Sequence, residues 1–117
     1  MFERLADADV AYLTTTGRRT GRRHRIEIWF ALENGVVYLL SGGGHDADWV
    51  RNIAKHREVR IQVGSRSVAA RARLVRARRE DARARELLDA KYMEWRPGRQ
   101  LSSWASGAVP VAIDLPR

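Results

Sequence analysis

The chain contains no cysteine, which excludes disulfide bonds and thiolate metal ligands and is compatible with a reducing cytoplasm. Its three histidines, His24, His45 and His56, are scattered with no second ligand at a recognisable spacing, so no metal is expected. Long apolar runs are also missing. Stretches such as residues 36–40 are far too short to cross a bilayer, and no membrane anchor is expected. The first nine residues carry Glu3, Asp7 and Asp9 and lack the charged start, apolar run and cleavage site of a signal peptide, which points to a cytoplasmic location. No internal repeat or low-complexity linker interrupts the 117 residues, and 44% apolar content is ordinary for a folded chain. A single domain over 1–117 is the expectation.

Positive charge, by contrast, is plentiful. Twenty-two Lys plus Arg against fourteen Asp plus Glu leave a net charge of +8, nearly all of it arginine. Such a balance attracts phosphate, carboxylate, nucleic acid or membrane surfaces and says nothing about fold. Arg60, Arg71 and Arg73 raise nucleic acid as a partner, yet neither an aromatic RNA-binding signature nor a helix-turn-helix pattern accompanies them, so no nucleic acid is expected. Where the arginines cluster therefore carries more weight than their number.

Residues 10–16 (VAYLTTT) are β-branched and aromatic and stop at Gly17, which opens the polar bend GRRTGRR. This reads as a strand and a tight turn. Over residues 25–32, Ile26, Ile28, Phe30 and Leu32 alternate with Arg25, Glu27, Trp29 and Ala31, the period-two pattern of a second strand. Asn34-Gly35 then signals a hairpin into a third strand over 36–40. After Gly42-Gly43-Gly44, Asp46 is a candidate N-cap for a helix over 47–55. Residues 59–63 and 68–75 form a second hairpin, with Arg71 and Arg73 on its outer side. Ala84, Leu87, Leu88, Tyr92 and Trp95 recur at helical spacing after Glu80-Asp81. The tail over 109–115 supplies a last strand. Six strands without βαβ alternation favour a small, mostly antiparallel barrel, and pairing of two chains would help a half-open sheet cover its apolar face.

Two segments could carry chemistry. Residues 14–25 place five arginines and two glycines in one bend, where guanidinium forks and exposed N–H groups can meet phosphate oxygens. The lysine and following helix of a Walker loop are lacking, and a solvated basic turn is the plain alternative. The second segment, SGGGHDADW over 41–49, joins a glycine-rich loop to a helix start. Asp46 as N-cap would satisfy that helix's donors, so packing of a ring fits better there than phosphate, and Trp49 reads more readily as core.

Taken together, YLTTTGRRTG, EIWFALENGVVYLLSGG and DWVRNIAKHREVRIQVG resemble the deazaflavin-dependent nitroreductase family of split β-barrel proteins, which use coenzyme F420. The resemblance covers roughly residues 10–74, and TTTGR-x-[ST]-G is its most specific piece. It implies a mainly β, FMN-binding-like split barrel of roughly six antiparallel strands with two or three helices. It also implies hydride transfer from reduced F420 to a small electron-poor substrate such as an enone, quinone or nitro compound. FMN is the alternative coenzyme, and a non-catalytic module binding flavin, haem or coenzyme on the same fold is the alternative function. By position, Arg18, Arg19 and Thr20 would contact the coenzyme's phosphate and acidic tail. His24, Arg25, Ile26, Glu27, Ile28 and Trp29 would line it along the second strand. Leu39, Leu40, Ser41 and Gly42 would meet its ring, and Asp48, Trp49, Val50, Arg51 and Asn52 would close over it. Ser41, Trp29 and Tyr92 fall on the substrate side, with Ser41 expected to hydrogen-bond the substrate as it gains negative charge. Gly42 stands where nitroreductase members carry a lysine, and His24 where many carry an arginine, which points away from nitroimidazole reduction.

Overall fold

The computed structural model describes residues 2–116. Seven strands form one antiparallel sheet: β1 (Ala11–Thr16), β2 (Arg23–Ile28), β3 (Ala31–Glu33), β4 (Val36–Ser41), β5 (Glu58–Val63), β6 (Arg66–Leu74) and β7 (Val109–Asp114). Their spatial order is β2-β1-β5-β6-β7-β4-β3. Consecutive strands β2 and β3 therefore lie at opposite edges of the sheet, although only Trp29 and Phe30 separate them. Three peptide units reach at most about 11 Å, so the sheet has to curl until its edges meet. The result is a split β-barrel, closed at that seam by the covalent chain.

This seam accounts for one correction. The single strand expected over 25–32 is two strands, and the total is seven rather than six. The alternation itself is retained: Phe30 is fully buried, and Ile26, Ile28 and Leu32 pack against the same interior cluster. What changes at Trp29 and Phe30 is the hydrogen-bonding partner, from β1 to β4. Periodicity reports the face and is blind to the neighbour.

The barrel interior holds Leu13, Phe30, Val37, Leu39, Ile61, Val111 and Ile113, with Val50 and Ile53 contributed by α1 (Asp48–Lys55). A second cluster lies on the other side of β4 and β7. There Tyr38, Leu40 and Ala112 meet Ala84 and Leu88 of α2 (Arg78–Tyr92) and Ala105 of α3 (Ser103–Gly107). Strand β4 is buried on both faces, which explains its unbroken apolar run. At the β3–β4 hairpin Asn34 and Gly35 both take positive φ, +53° and +76°, as the dipeptide signals. Helix α2 ends at Tyr92, and Glu94 adopts φ +58°, so Trp95 lies beyond the helix in which its spacing would place it. The short α3 is an addition. It is capped by Ser102, whose Oγ accepts from Ala105 N and donates to the buried carboxylate of Asp89 at 2.6 Å.

Asp46 does not cap α1 either. It belongs to a 3₁₀ turn (Gly44–Asp46), the capping position is Ala47, and the Asp46 carboxylate accepts from Arg51 Nη2 at 3.0 Å. No helix among the described residues is long and apolar enough to cross a membrane.

An ionic cluster ties α2 to the sheet. Arg73 donates to both oxygens of Glu80, at 2.7 and 2.8 Å, and to Asp114, while Tyr38 Oη donates to Glu80 Oε2 at 2.7 Å. The Arg73 guanidinium, helped by the tyrosine hydroxyl and opposed by partial burial, lowers the Glu80 carboxyl from 4.5 to about 2. A depressed carboxyl stabilises the fold above its unfolded value and loses that contribution as pH falls toward its folded value. Stability should therefore decline between pH 4.5 and about 2 as Glu80 protonates. Because the pair is partly exposed, Glu80→Gln should cost about 1 kcal/mol near neutrality and flatten that acid limb. Urea melts at several pH values test this, and an acid limb of unchanged slope would contradict it.

Candidate functional site

The β1–β2 bend is built by its glycines. Gly17 N–H donates to Arg22 O at 2.7 Å and Gly21 N–H to Gly17 O at 2.9 Å, with Gly21 at φ +73°. A Cβ on Gly17 would sit 2.8 Å from His24 Nε2 and 3.0 Å from Thr20 Oγ1, so the imidazole reaches over this residue only because it has no side chain. Thr20 Oγ1 accepts from Arg22 N and so helps shape the turn.

Asn52 on α1 holds the bend in place. Its side chain is 4% exposed; Nδ2 donates to Thr15 Oγ1 at 3.2 Å, and Oδ1 accepts from Arg18 N at 3.1 Å and Arg18 Nη1 at 2.9 Å. Arg18 Nη2 further pairs with Asp48 at 3.2 Å, and Lys55 Nζ donates to Arg18 O. Arg18 is thus a strut between bend and helix, with its charge already matched. Neither the Arg19 nor the Arg22 guanidinium makes a hydrogen bond or ion pair with the described residues.

Between bend and helix lies a cleft of about 540 Å³, lined by Thr15, Gly17, Arg18, Arg19, Thr20, Arg22, His24, Ile26, Asp48, Trp49 and Asn52. That volume lies within the range of small-molecule and cofactor sites. Its character is split: unpaired guanidinium and imidazole groups at one end, Ile26 and the half-buried Trp49 along the wall.

Several expected contacts fall elsewhere. Strand β2 alternates, so only His24 and Ile26 of its expected run reach the cleft. Arg25 and Glu27 point to the outer face, Arg25 stacked 4.2 Å over the Tyr12 ring and bonded to Gln62, Glu27 accepting from Tyr12 Oη. Ile28 packs on the interior, and Leu39, Leu40 and Val50 are buried in the two cores. Ser41 is 2% exposed and donates to Gly44 O at 2.8 Å; its hydroxyl braces the glycine loop, and Ser41 is not among the residues lining the cleft. Arg51 faces Asp46 outside the cleft. The residue overlooked was Arg22, and its signal was available: Gly21 reverses the chain, which returns the next arginine to the cleft wall.

A second, aromatic surface lies at the seam. Trp29, 42% exposed, stacks on Tyr92 with ring centroids 4.4 Å apart and planes within 1°, and Trp104 meets it edge-on at 5.3 Å. Gly42 borders Trp104, whose indole lies 3.8 Å from where a Gly42 Cβ would be. Trp29 does not line the cleft; along β2 it lies three residues, about 10 Å, beyond Ile26. The arginines of β5 and β6 are engaged locally: Arg60 with Ser67, Arg71 with Glu58, and Arg73 in the ionic cluster.

A split barrel with a cation-lined, partly apolar cleft of this size has the shape and charge of a site for an anionic cofactor. The profile of the F420H(2)-dependent quinone reductase family matches residues 1–116. The chain belongs to that family and is an F420-dependent oxidoreductase. Solved structures share the fold at low identity. An F420-H2 dependent reductase, FDR-A, is 18% identical with a TM-score of 0.69, covering 90% of this chain and 93% of its own. A conserved hypothetical protein from Mycobacterium tuberculosis is 18% identical at 0.75, covering 100% and 81%. A domain-swapped dimer is 19% identical at 0.68, covering 90% and 79%. The cleft suits the coenzyme's chemistry, since it offers unpaired cations to an anionic end and an aromatic and aliphatic wall to a ring.

Asn52 and Arg19 should separate cleanly as strut and ligand. Asn52→Ala leaves the Thr15 hydroxyl and the Arg18 N–H without their partner and should cost about 1–3 kcal/mol. Arg19→Ala should stay within about 0.5 kcal/mol of the parent. Equal midpoints for the two variants in urea denaturation would refute this division.

Proposed function

We propose that the chain reduces a planar, electron-poor carbonyl compound of quinone type with coenzyme F420, and that the cleft beside the β1–β2 bend holds the coenzyme. The observation that carries this reading is the pair of unpartnered guanidinium groups, Arg19 and Arg22, lining a cleft that Trp49 and Ile26 also line. Arg19, Arg22 and His24 bind the coenzyme's anionic end, and Thr20 shapes the turn that carries them. Ile26 and Trp49 flank its ring, while Asn52, Arg18 and Asp48 fix the distance between bend and helix. When bound, the reduced coenzyme supplies a hydride.

The chain's own contribution is then orientation, electrostatics and exclusion of water, with no nucleophile required. Cations at the cleft mouth lower the energy of negative charge developing nearby. The exposed part of the Trp29 indole meets the substrate, and an electron-poor ring stacks well on an electron-rich one. A flat face favours a planar ring over a non-aromatic enone, and the family's description points to the quinone. The same proposal takes residues 1–117 as one domain working in the cytoplasm. It also takes the functional form as a homodimer, a reading supported by the domain-swapped dimer among the similar folds.

Anaerobic titration with oxidised F420, followed by turnover of a naphthoquinone, tests the proposal. Arg19→Ala/Arg22→Ala should raise the coenzyme Kd roughly 10- to 100-fold, the range expected for losing charged hydrogen bonds. The parent's affinity should fall as salt rises. A double variant that binds like the parent would place the anion site elsewhere.

A further inference from the structure

The seam between β2 and β3 is where a barrel closed by chain rather than by hydrogen bonds should be weakest. Phe30, the residue at the seam, lacks a strand partner for its peptide groups. The last turn of α2 supplies one. Phe30 N–H donates to Tyr92 Oη at 3.0 Å, and Phe30 O lies 3.0 Å from Tyr92 Oη and 3.1 Å from Lys91 Nζ. Tyr92 Oη also lies 2.8 Å from Asp9 O, so its single proton is shared between two carbonyls. Lys91 Nζ reaches Ala6 O at 2.9 Å and sits 3.7 Å over the Phe30 ring. Burial raises the Tyr92 hydroxyl above its usual value, which keeps its proton in place near neutrality.

The residue just before this anchored peptide is Trp29. Tyr92 therefore holds Trp29 twice, through the hydroxyl that fixes the adjoining peptide and through the ring that covers one indole face. Trp104 meets the Trp29 indole in a T-shaped contact, and its own helix is set by the buried Asp89 through Ser102. With both neighbours in place, Trp29 remains 42% exposed.

We propose that Tyr92, seconded by Lys91, is a positioning residue for the reduction. It does not touch the substrate, but anchors the Phe30 peptide and so fixes the angle at which Trp29 meets a planar quinone ring. The inference rests on the reading of Trp29 as the substrate-side platform. Misplacing a platform by a fraction of an ångström weakens only the ligand that needs its plane. A loss confined to flat substrates is what distinguishes positioning from general support of the fold.

The test compares Tyr92→Phe, which keeps the stack and removes the hydroxyl, with Lys91→Met, Trp29→Leu and the parent. Substrates are a naphthoquinone and a small non-aromatic cyclic enone. Tyr92→Phe should raise the naphthoquinone KM on the order of tenfold, while coenzyme Kd and enone KM stay within about twofold. Quenching of indole fluorescence by the naphthoquinone, measured without coenzyme, should weaken by a similar factor. Lys91→Met should move the same quantities in the same direction by less; should Tyr92→Phe be too unstable to purify, it carries the test alone. Equal rises for both substrates, a parallel loss of coenzyme affinity, or an unchanged naphthoquinone KM would each overturn the inference. Trp29→Leu separates the two layers. If it leaves the naphthoquinone KM unaltered, the platform reading fails; if it raises KM and Tyr92→Phe does not, the positioning role alone falls.

Discussion

Asn52 is the point on which the site depends. A buried amide costs free energy unless its polar atoms are hydrogen-bonded, and both polar atoms of this one are, to Thr15 on β1 and to the backbone and guanidinium of Arg18 in the bend. The three bonds join the end of a strand, a glycine turn and a helix into one rigid unit. Because Arg18 spends its charge on that joint, the neighbouring arginines can face a ligand without having to hold the loop. A cleft with free cations on a fixed frame is the electrostatic preorganisation that favours an anionic coenzyme, since the cost of assembling like charges is met when the chain folds.

Arginine abundance thus has no single meaning in this chain. Arg73 and Arg83 pair with carboxylates across elements, Arg85 bonds the carbonyls closing α3, and Arg25 lies over an outer tyrosine. In the bend, Arg19 and Arg22 are guanidinium groups that the protein does not use itself, and they line a cleft. The net charge of +8 would draw many anions toward the surface, and the cleft adds the shape that selects among them. Just past the opposite end of β2, Trp29 reaches the seam, so one continuous segment links the basic bend to an aromatic surface.

Much of this was legible from residue order. The Asn34-Gly35 hairpin, the alternating strands, the basic bend and the two longer helices follow from φ preferences and periodicity that act locally. What periodicity cannot supply is the partner. The division of 25–32 into two strands, and the choice of β7 as neighbour to both β6 and β4, depend on contacts between residues far apart in the chain. The site shows the same limit. Glycines and arginines marked the bend, but matching consecutive residues His24, Arg25, Ile26, Glu27 and Ile28 to one ligand ignored the alternation that sends Arg25 and Glu27 outward. Ser41 carried a hydroxyl at a suggestive place, yet a hydroxyl three residues before a glycine can satisfy itself on the loop, and here it does. Asn52, Lys91 and Tyr92 hold backbone groups that only the folded topology brings within reach.

The central claim is that the inner surface of the β1–β2 bend, and not the charged outer face of the sheet, receives the coenzyme. Amide and indole NMR during titration with oxidised F420 reads both surfaces in one experiment. The account predicts saturable shifts at Gly17, Arg19, Arg22, His24 and Ile26 and at the Trp49 indole, with Tyr12, Arg25 and Arg60 unmoved. Shifts concentrated on Tyr12, Arg25 and Arg60, with the bend silent, would contradict it.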